Sequence, residues 1–183
     1  AVDPAGKPPA GELVPPARNL TDRKGVRAII HAVPKSDPDT IWIGLNDRDR
    51  AWHDLHKVKI STGESTLVRR NTDRVTGWIF DLKDELRLAV RSRPSGETEI
   101  LRVAASEMTP IYSCGVFETC APVRFHKDNK RVYLITNRGN LNLIQLELLD
   151  PQTGQTRFVE ADPLKRVDFS GITISEVTDE PIV

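Results

Sequence analysis

Hydrophobic and polar positions alternate along this chain in short runs, each closed by a cluster of turn-forming residues. Alternation at a period of two is the mark of a strand with one face buried. First strands are expected at 27–33 (RAIIHAV), 76–82 (TGWIFDL) and 121–127 (APVRFHK). A turn rich in Asp, Lys and Pro follows each of them: PKSDPD, KDE and KDNK. Second strands are expected at 40–46 (TIWIGLN), 86–92 (LRLAVRS) and 131–137 (RVYLITN). A polar loop then leads to third strands at 54–60 (DLHKVKI), 98–103 (TEILRV) and 142–149 (NLIQLELL). A turn with Thr-Gly or its equivalent introduces fourth strands at 65–70 (STLVRR), 108–113 (MTPIYS) and 156–161 (TRFVEA).

The same grammar returns three times because the chain repeats itself. Asn46 falls on Asn137, Leu55 on Leu146, Thr62-Gly63 on Thr153-Gly154 and Val68 on Val159, all at one shift of 91 positions. Arg91, Ile100 and Ile111 hold the corresponding places midway, so the period is about 45 residues, with the middle copy the most divergent. Four antiparallel strands per unit of this length is the signature of a β-propeller blade. One such sheet is apolar on both faces and needs a neighbour on each side to bury them.

The expected fold is therefore all-β: a β-propeller fragment with about three complete blades and partial blades at both ends. Blades are expected at 21–70, 71–115 and 116–162. Residues 1–20 are expected to supply outer strands of a preceding blade, and 163–183 the start of the next. Propellers close with four or more blades, so the chain reads as part of a longer protein. Unclosed blade faces predict self-association.

Lys plus Arg and Asp plus Glu number 26 each, so charge points to neither nucleic acid nor an anionic membrane as a partner. Purely apolar runs reach about four or five residues, far short of the roughly 20 that span a bilayer. Cys114 and Cys120, in YSCGVFETCAP, have a spacing that closes a small loop across a turn. A disulfide is the first reading of that pair and two free thiols the second. A bridge implies a periplasmic or secreted protein, and free thiols a cytoplasmic one. Asn19-Leu20-Thr21 is an N-glycosylation sequon, informative only in a host that glycosylates secreted proteins.

The densest polar stretch is GLNDRDRAWHDLH, Gly44 to His56. A metal site at His53, Asp54 and His56 is disfavoured, because strand alternation points the two histidines to opposite faces. No serine sits in a Gly-x-Ser-x-Gly elbow and neither cysteine has a nucleophile motif beside it, so no catalytic residue is assigned. No cofactor or metal is expected. Aligned on the repeat, the stretch is the loop between a blade's second and third strands. Asp47, Arg48 and Asp49 are expected to pair with one another or with a neighbouring blade. A lesser alternative makes Asp47, Arg48, Asp49, Trp52 and His53 a substrate entrance. Trp42 and Trp78 are expected in the core between blades, and Trp52 to pack over the polar loop.

The series IWIGLNDRDRAWHDLHKVKISTGESTLV, TEILRV, RFHKDNKRVYLITNRG and LELLDPQTGQTRFVEADP resembles the β-propeller of prolyl oligopeptidase family serine peptidases. Its bacterial dipeptidyl- or acylaminoacyl-peptidase-like members are the nearest in kind. The resemblance is specific at GLNDRDRAWHDLHKV and generic elsewhere. It implies a non-catalytic propeller that partners an α/β-hydrolase domain of the same parent protein, caps its active site and admits short peptides. No adjacent Glu-Glu pair occurs here, so no residue that would hold a substrate's N-terminus is carried over. Two alternatives remain: a propeller binding or scaffold module, periplasmic Tol-type or other, with no hydrolase domain, and a propeller enzyme whose site is built from other blades.

Overall fold

Backbone hydrogen bonding follows the alternation closely. The computed structural model describes every residue except Pro4, Asn140, Glu176 and Val183. Among the described residues there is no helix, and fourteen strands form three four-stranded sheets and one two-stranded pair. The first sheet comprises β1 (Ala28–Ala32), β2 (Thr40–Leu45), β3 (Asp54–Lys59) and β4 (Ser65–Arg69). The second comprises β5 (Val75–Phe80), β6 (Leu86–Ser92), β7 (Thr98–Val103) and β8 (Met108–Cys114). The third comprises β9 (Cys120–Phe125), β10 (Val132–Thr136), β11 (Gln145–Leu149) and β12 (Thr156–Glu160). Each is an antiparallel meander in chain order, the build of a propeller blade. A short pair, β13 (Thr173–Ile174) with β14 (Pro181–Ile182), follows.

The middle strands of each sheet are the most buried, as in Leu55, Val58, Leu88, Ile100, Leu134 and Leu149. Each such side chain contributes about 1.5–3 kcal/mol through burial. The fourth strands carry exposed apolar positions, among them Leu67, Val68 and Phe158. In all three sheets the pairing of first and second strands slips by a bulge; in the first sheet the extra residue is His31, between Ile30 and Ala32. The turn after each first strand is pinned by an aspartate. Asp37 accepts from Thr40, Asp81 from the N–H groups of Lys83 and Glu85, and Asp128 from those of Lys130 and Arg131.

The chain divides into two compact units, Ala1–Asn71 and Thr72–Val183. The first holds one sheet, with Ile43, Leu45 and Val58 at its core and Leu20, Val26 and Ile41 against them. In the second unit two sheets share one core: Leu88, Ile100, Tyr112 and Cys114 meet Cys120, Phe125, Val132, Leu134 and Leu149. Asn129 stitches them, accepting from Leu82 N–H at 2.8 Å and donating to Asp81 at 3.1 Å. The far face of the third sheet, at Tyr133, Leu146 and Leu148, is covered by Phe169, Ile172 and Ile174. Arg124–Asp179 and Lys127–Glu180 ion pairs hold that cover in place.

Three expectations need correction. Residues 1–20 form no outer strands among the described residues, only an isolated bridge between Val2 and Ala17. Pro8, Pro9, Pro15 and Pro16 remove the N–H donors that a ladder needs. The strand expected from Asn142 begins at Gln145, because Ile144 gives its N–H to Asp168 and its C=O to Phe169. Trp78 is buried, whereas Trp42 is half-buried with Lys57 5.8 Å over its ring.

Candidate functional site

The polar stretch lies where the repeat places it, in the loop between β2 and β3. Asn46 opens that loop by accepting the Arg27 N–H at 2.6 Å and donating to the Arg50 carbonyl at 3.1 Å. Asn137 makes the matching bond after β10, accepting the Thr119 N–H at 2.7 Å. In the middle sheet the tie runs the other way, with Arg74 Nε donating to the Ser92 carbonyl at 3.0 Å.

Of the charged loop residues, Asp47 pairs with Arg23. Arg48 turns back on its own sheet, donating from Nε and Nη2 to the two oxygens of Asp54, each at 2.7 Å, and to the Asn71 carbonyl at 3.1 Å. Asp49 caps the loop through the Ala51 N–H at 2.9 Å. The expected pairing of Asp47, Arg48 and Asp49 is with one another or with a neighbouring blade; Asp47 accepts the Arg48 N–H at 3.0 Å, and the side-chain ion pairs run to Arg23 and Asp54 within one unit. The physical reason is reach: Asp54 opens β3 with its carboxylate buried, and the bidentate guanidinium together with the Asn71 N–H compensates it. Hydrogen bonds from Arg48 chiefly hold the Asp54 carboxyl below its ordinary value, against the opposing effect of burial.

The histidines do not converge on a metal. His56 Nδ1 lies 3.2 Å from Ser65 Oγ. His53 and His31, the latter missed in the sequence, instead flank Gly44. A Cβ on Gly44 would stand 2.7 Å from His31 Nε2 and 2.9 Å from His53 Cβ, so only glycine admits them. Both Nε2 atoms are buried without a hydrogen-bond partner. Burial, then the neighbouring His53, lowers the His31 pKa to about 4. The bulge that turns His31 onto Gly44 interrupts the alternation by one residue only. Among the described residues no group of three or more His, Cys, Asp or Glu is placed to hold a metal ion.

The second unit carries its own polar clusters. Glu99 accepts from Arg91 at 2.6 Å and Arg93 at 2.9 Å. A disulfide joins Cys114 to Cys120, with Cα atoms 5.9 Å apart. Inside that loop Glu118 accepts the N–H groups of Gly115 and Gly139, each at 2.7 Å, and these bonds lower its pKa. A surface cleft of about 630 Å³ lies between Leu143, Ile144, Phe158 and Val167. Asp162 on its wall accepts the N–H groups of Leu164, Arg166 and Val167.

No family model matches the chain. It is 33% identical over 165 residues to dipeptidyl aminopeptidase BIII of Pseudoxanthomonas mexicana, a match covering 88% of this chain and 24% of that protein. It is 25% identical over 162 residues to dipeptidyl peptidase family member 6 of Caenorhabditis elegans, covering 78% of this chain and 22% of that protein. The chain thus spans about a quarter of the length of either relative. A solved structure from a study of two prolyl endopeptidases aligns with a TM-score of 0.44 at 13% identity, over 70% of this chain and 20% of that one.

Proposed function

The chain is a propeller portion of a prolyl oligopeptidase-family peptidase, and on that premise we propose that it caps a hydrolase active site and admits only short peptides. The observation that carries this reading is how the most charged loop is used. Asp47, Arg48 and Asp54 are spent on ion pairs that stiffen the loop, and no nucleophile with its base stands among them. A sieve works by holding its rim still, and the bidentate Arg48–Asp54 pair supplies that stillness. The rim residues are Asp47, Arg48, Asp49, Trp52 and His53, of which Trp52 and His53 are half-buried. Water exclusion follows from the same wall, since closing a site strengthens the electrostatics inside it.

The partner is an α/β-hydrolase domain elsewhere in the parent protein, and the whole enzyme's reaction is the release of dipeptides that the relatives' names describe. A fluorophosphonate probe on the full-length protein tests this. Stoichiometric covalent labelling, together with hydrolysis of short peptide substrates, is the expected result. A full-length protein that no such probe labels sinks the reading and leaves a binding module.

A further inference from the structure

The disulfide loop between β8 and β9 has a feature that a simple connection does not need. Phe117 stands 96% exposed at its tip, with Val116 60% exposed beside it. Everything beneath that tip is fixed. The Cys114–Cys120 bridge closes the base. Glu118 holds the N–H of Gly115 within the loop and that of Gly139 across from it. Thr119 donates to Asn137 at 2.7 Å, and Arg138 lies 4.4 Å over the Tyr112 ring. On the other side Val116 packs on Gly96, where a Cβ would come within 3.2 Å of its Cγ2. Flexible tips commonly expose apolar residues without consequence. Here the backbone is held from both sides, so the ordering cost of an encounter has already been met.

We propose that the Cys114–Cys120 loop is a latch, with Phe117 as the anchor that enters an apolar pocket on the hydrolase part of the same polypeptide. The latch presupposes the peptidase reading above. Area decides between a tethered and a free partner. A phenylalanine buries about 150–250 Å², whereas a stable interface between separate molecules needs about 1,200–2,000 Å². A contact this small works only where a covalent tether raises the effective concentration to about the millimolar range. The relatives are about four times the length of this chain, which leaves ample polypeptide to carry the pocket. Glu118 and Arg138 supply the polar rim that surrounds an interface anchor.

The test is hydroxyl-radical footprinting of the full-length protein, read at Phe117. The latch predicts that Phe117 is oxidised at least about 10-fold more slowly than in the urea-unfolded protein, given what burying one phenylalanine contributes. That protection must not change with protein concentration. Oxidation at the unfolded rate overturns the latch, and protection that grows with concentration assigns the loop to a second copy and overturns it too. A Phe117→Ser variant, altered only at an exposed tip, should label about 10-fold faster with a bulky fluorophosphonate while a small one reacts at the wild-type rate. Unchanged bulky-probe labelling of that variant also overturns the latch. The two readings fail separately. Labelling of the wild-type protein with Phe117 unprotected sinks the latch alone, whereas protection in a protein that no probe labels sinks the hydrolase assignment.

Discussion

Arg48 clasps Asp54 through two parallel N–H···O bonds of 2.7 Å, and the Asn71 N–H adds a third bond of 2.7 Å to the same carboxylate. The carboxylate is buried while the guanidinium remains partly in water, with side-chain exposures of 4% and 37%. Replacing Asp54 by Ala strands one buried amide and one guanidinium, at a cost of about 2–3 kcal/mol. Arg48→Lys keeps the charge but loses the fork, and should cost less than Asp54→Ala. Urea unfolding followed by tryptophan fluorescence ranks the two; an Arg48→Lys variant as stable as the parent would mean that charge alone holds the loop.

The buried imidazoles give the first unit a pH dependence with a defined sign. His31 titrates near 6.5 when unfolded and near 4 when folded. Between those values the unfolded chain binds more protons, so stability is full above 6.5 and falls as pH drops toward 4. His53, also lowered by burial, acts in the same direction. His31→Leu should flatten the unfolding midpoint across this window, and an unchanged slope in that variant would contradict the assignment.

A second acid leg lies lower. The Asp54 and Asp81 carboxyls both titrate below their ordinary value of 3.8 in the folded chain. For Asp81, burial acts to raise the value and is overcome by the N–H groups of Lys83 and Glu85, with Arg87 and Asn129. Groups with depressed folded values stabilise above 3.8 and lose that contribution as pH falls through the folded value. Asp81→Asn should weaken this leg in a midpoint-versus-pH series while leaving the histidine window intact.

Two glycines at matching turns should respond differently to alanine. Gly63 has φ +79° and its nearest atom to a new Cβ is Leu20 Cδ2 at 3.9 Å, so Gly63→Ala meets backbone strain only, about 1 kcal/mol. Gly154 has φ +73° and would place a Cβ 2.4 Å from the Ile111 carbonyl oxygen, on the neighbouring sheet. Gly154→Ala should therefore cost about 2–4 kcal/mol. Thermal melts of the two variants compare them directly, and similar losses would argue against the close approach.

The strands were legible in the sequence because local chemistry alone specifies them. The run at 40–46 alternates, Asp37 pins the turn before it, and β2 forms at Thr40–Leu45. Asn46 and Asn137 were matched as repeat partners, and each closes its sheet by the same side-chain bond. What stayed hidden depends on contacts between distant positions. The bulge at His31 breaks alternation by a single residue, and its consequence appears only against Gly44 and His53. Gly154 reads as a turn glycine, while its stricter constraint comes from Ile111 on another sheet. The Arg48–Asp54 clasp lay inside the stretch first singled out, yet composition gave no sign of which acid the arginine would choose.

A propeller portion that caps a hydrolase site must screen substrates by size. The direct measurement is kcat/KM of the full-length enzyme over a series of otherwise identical peptides of increasing length, ending with an unfolded protein that carries the same cleavage site. A steric cap predicts a steep loss of about 100-fold or more once the substrate outgrows the entrance, since each tenfold step requires only 1.4 kcal/mol of exclusion. Equal kcat/KM for the shortest peptide and the unfolded protein would contradict it.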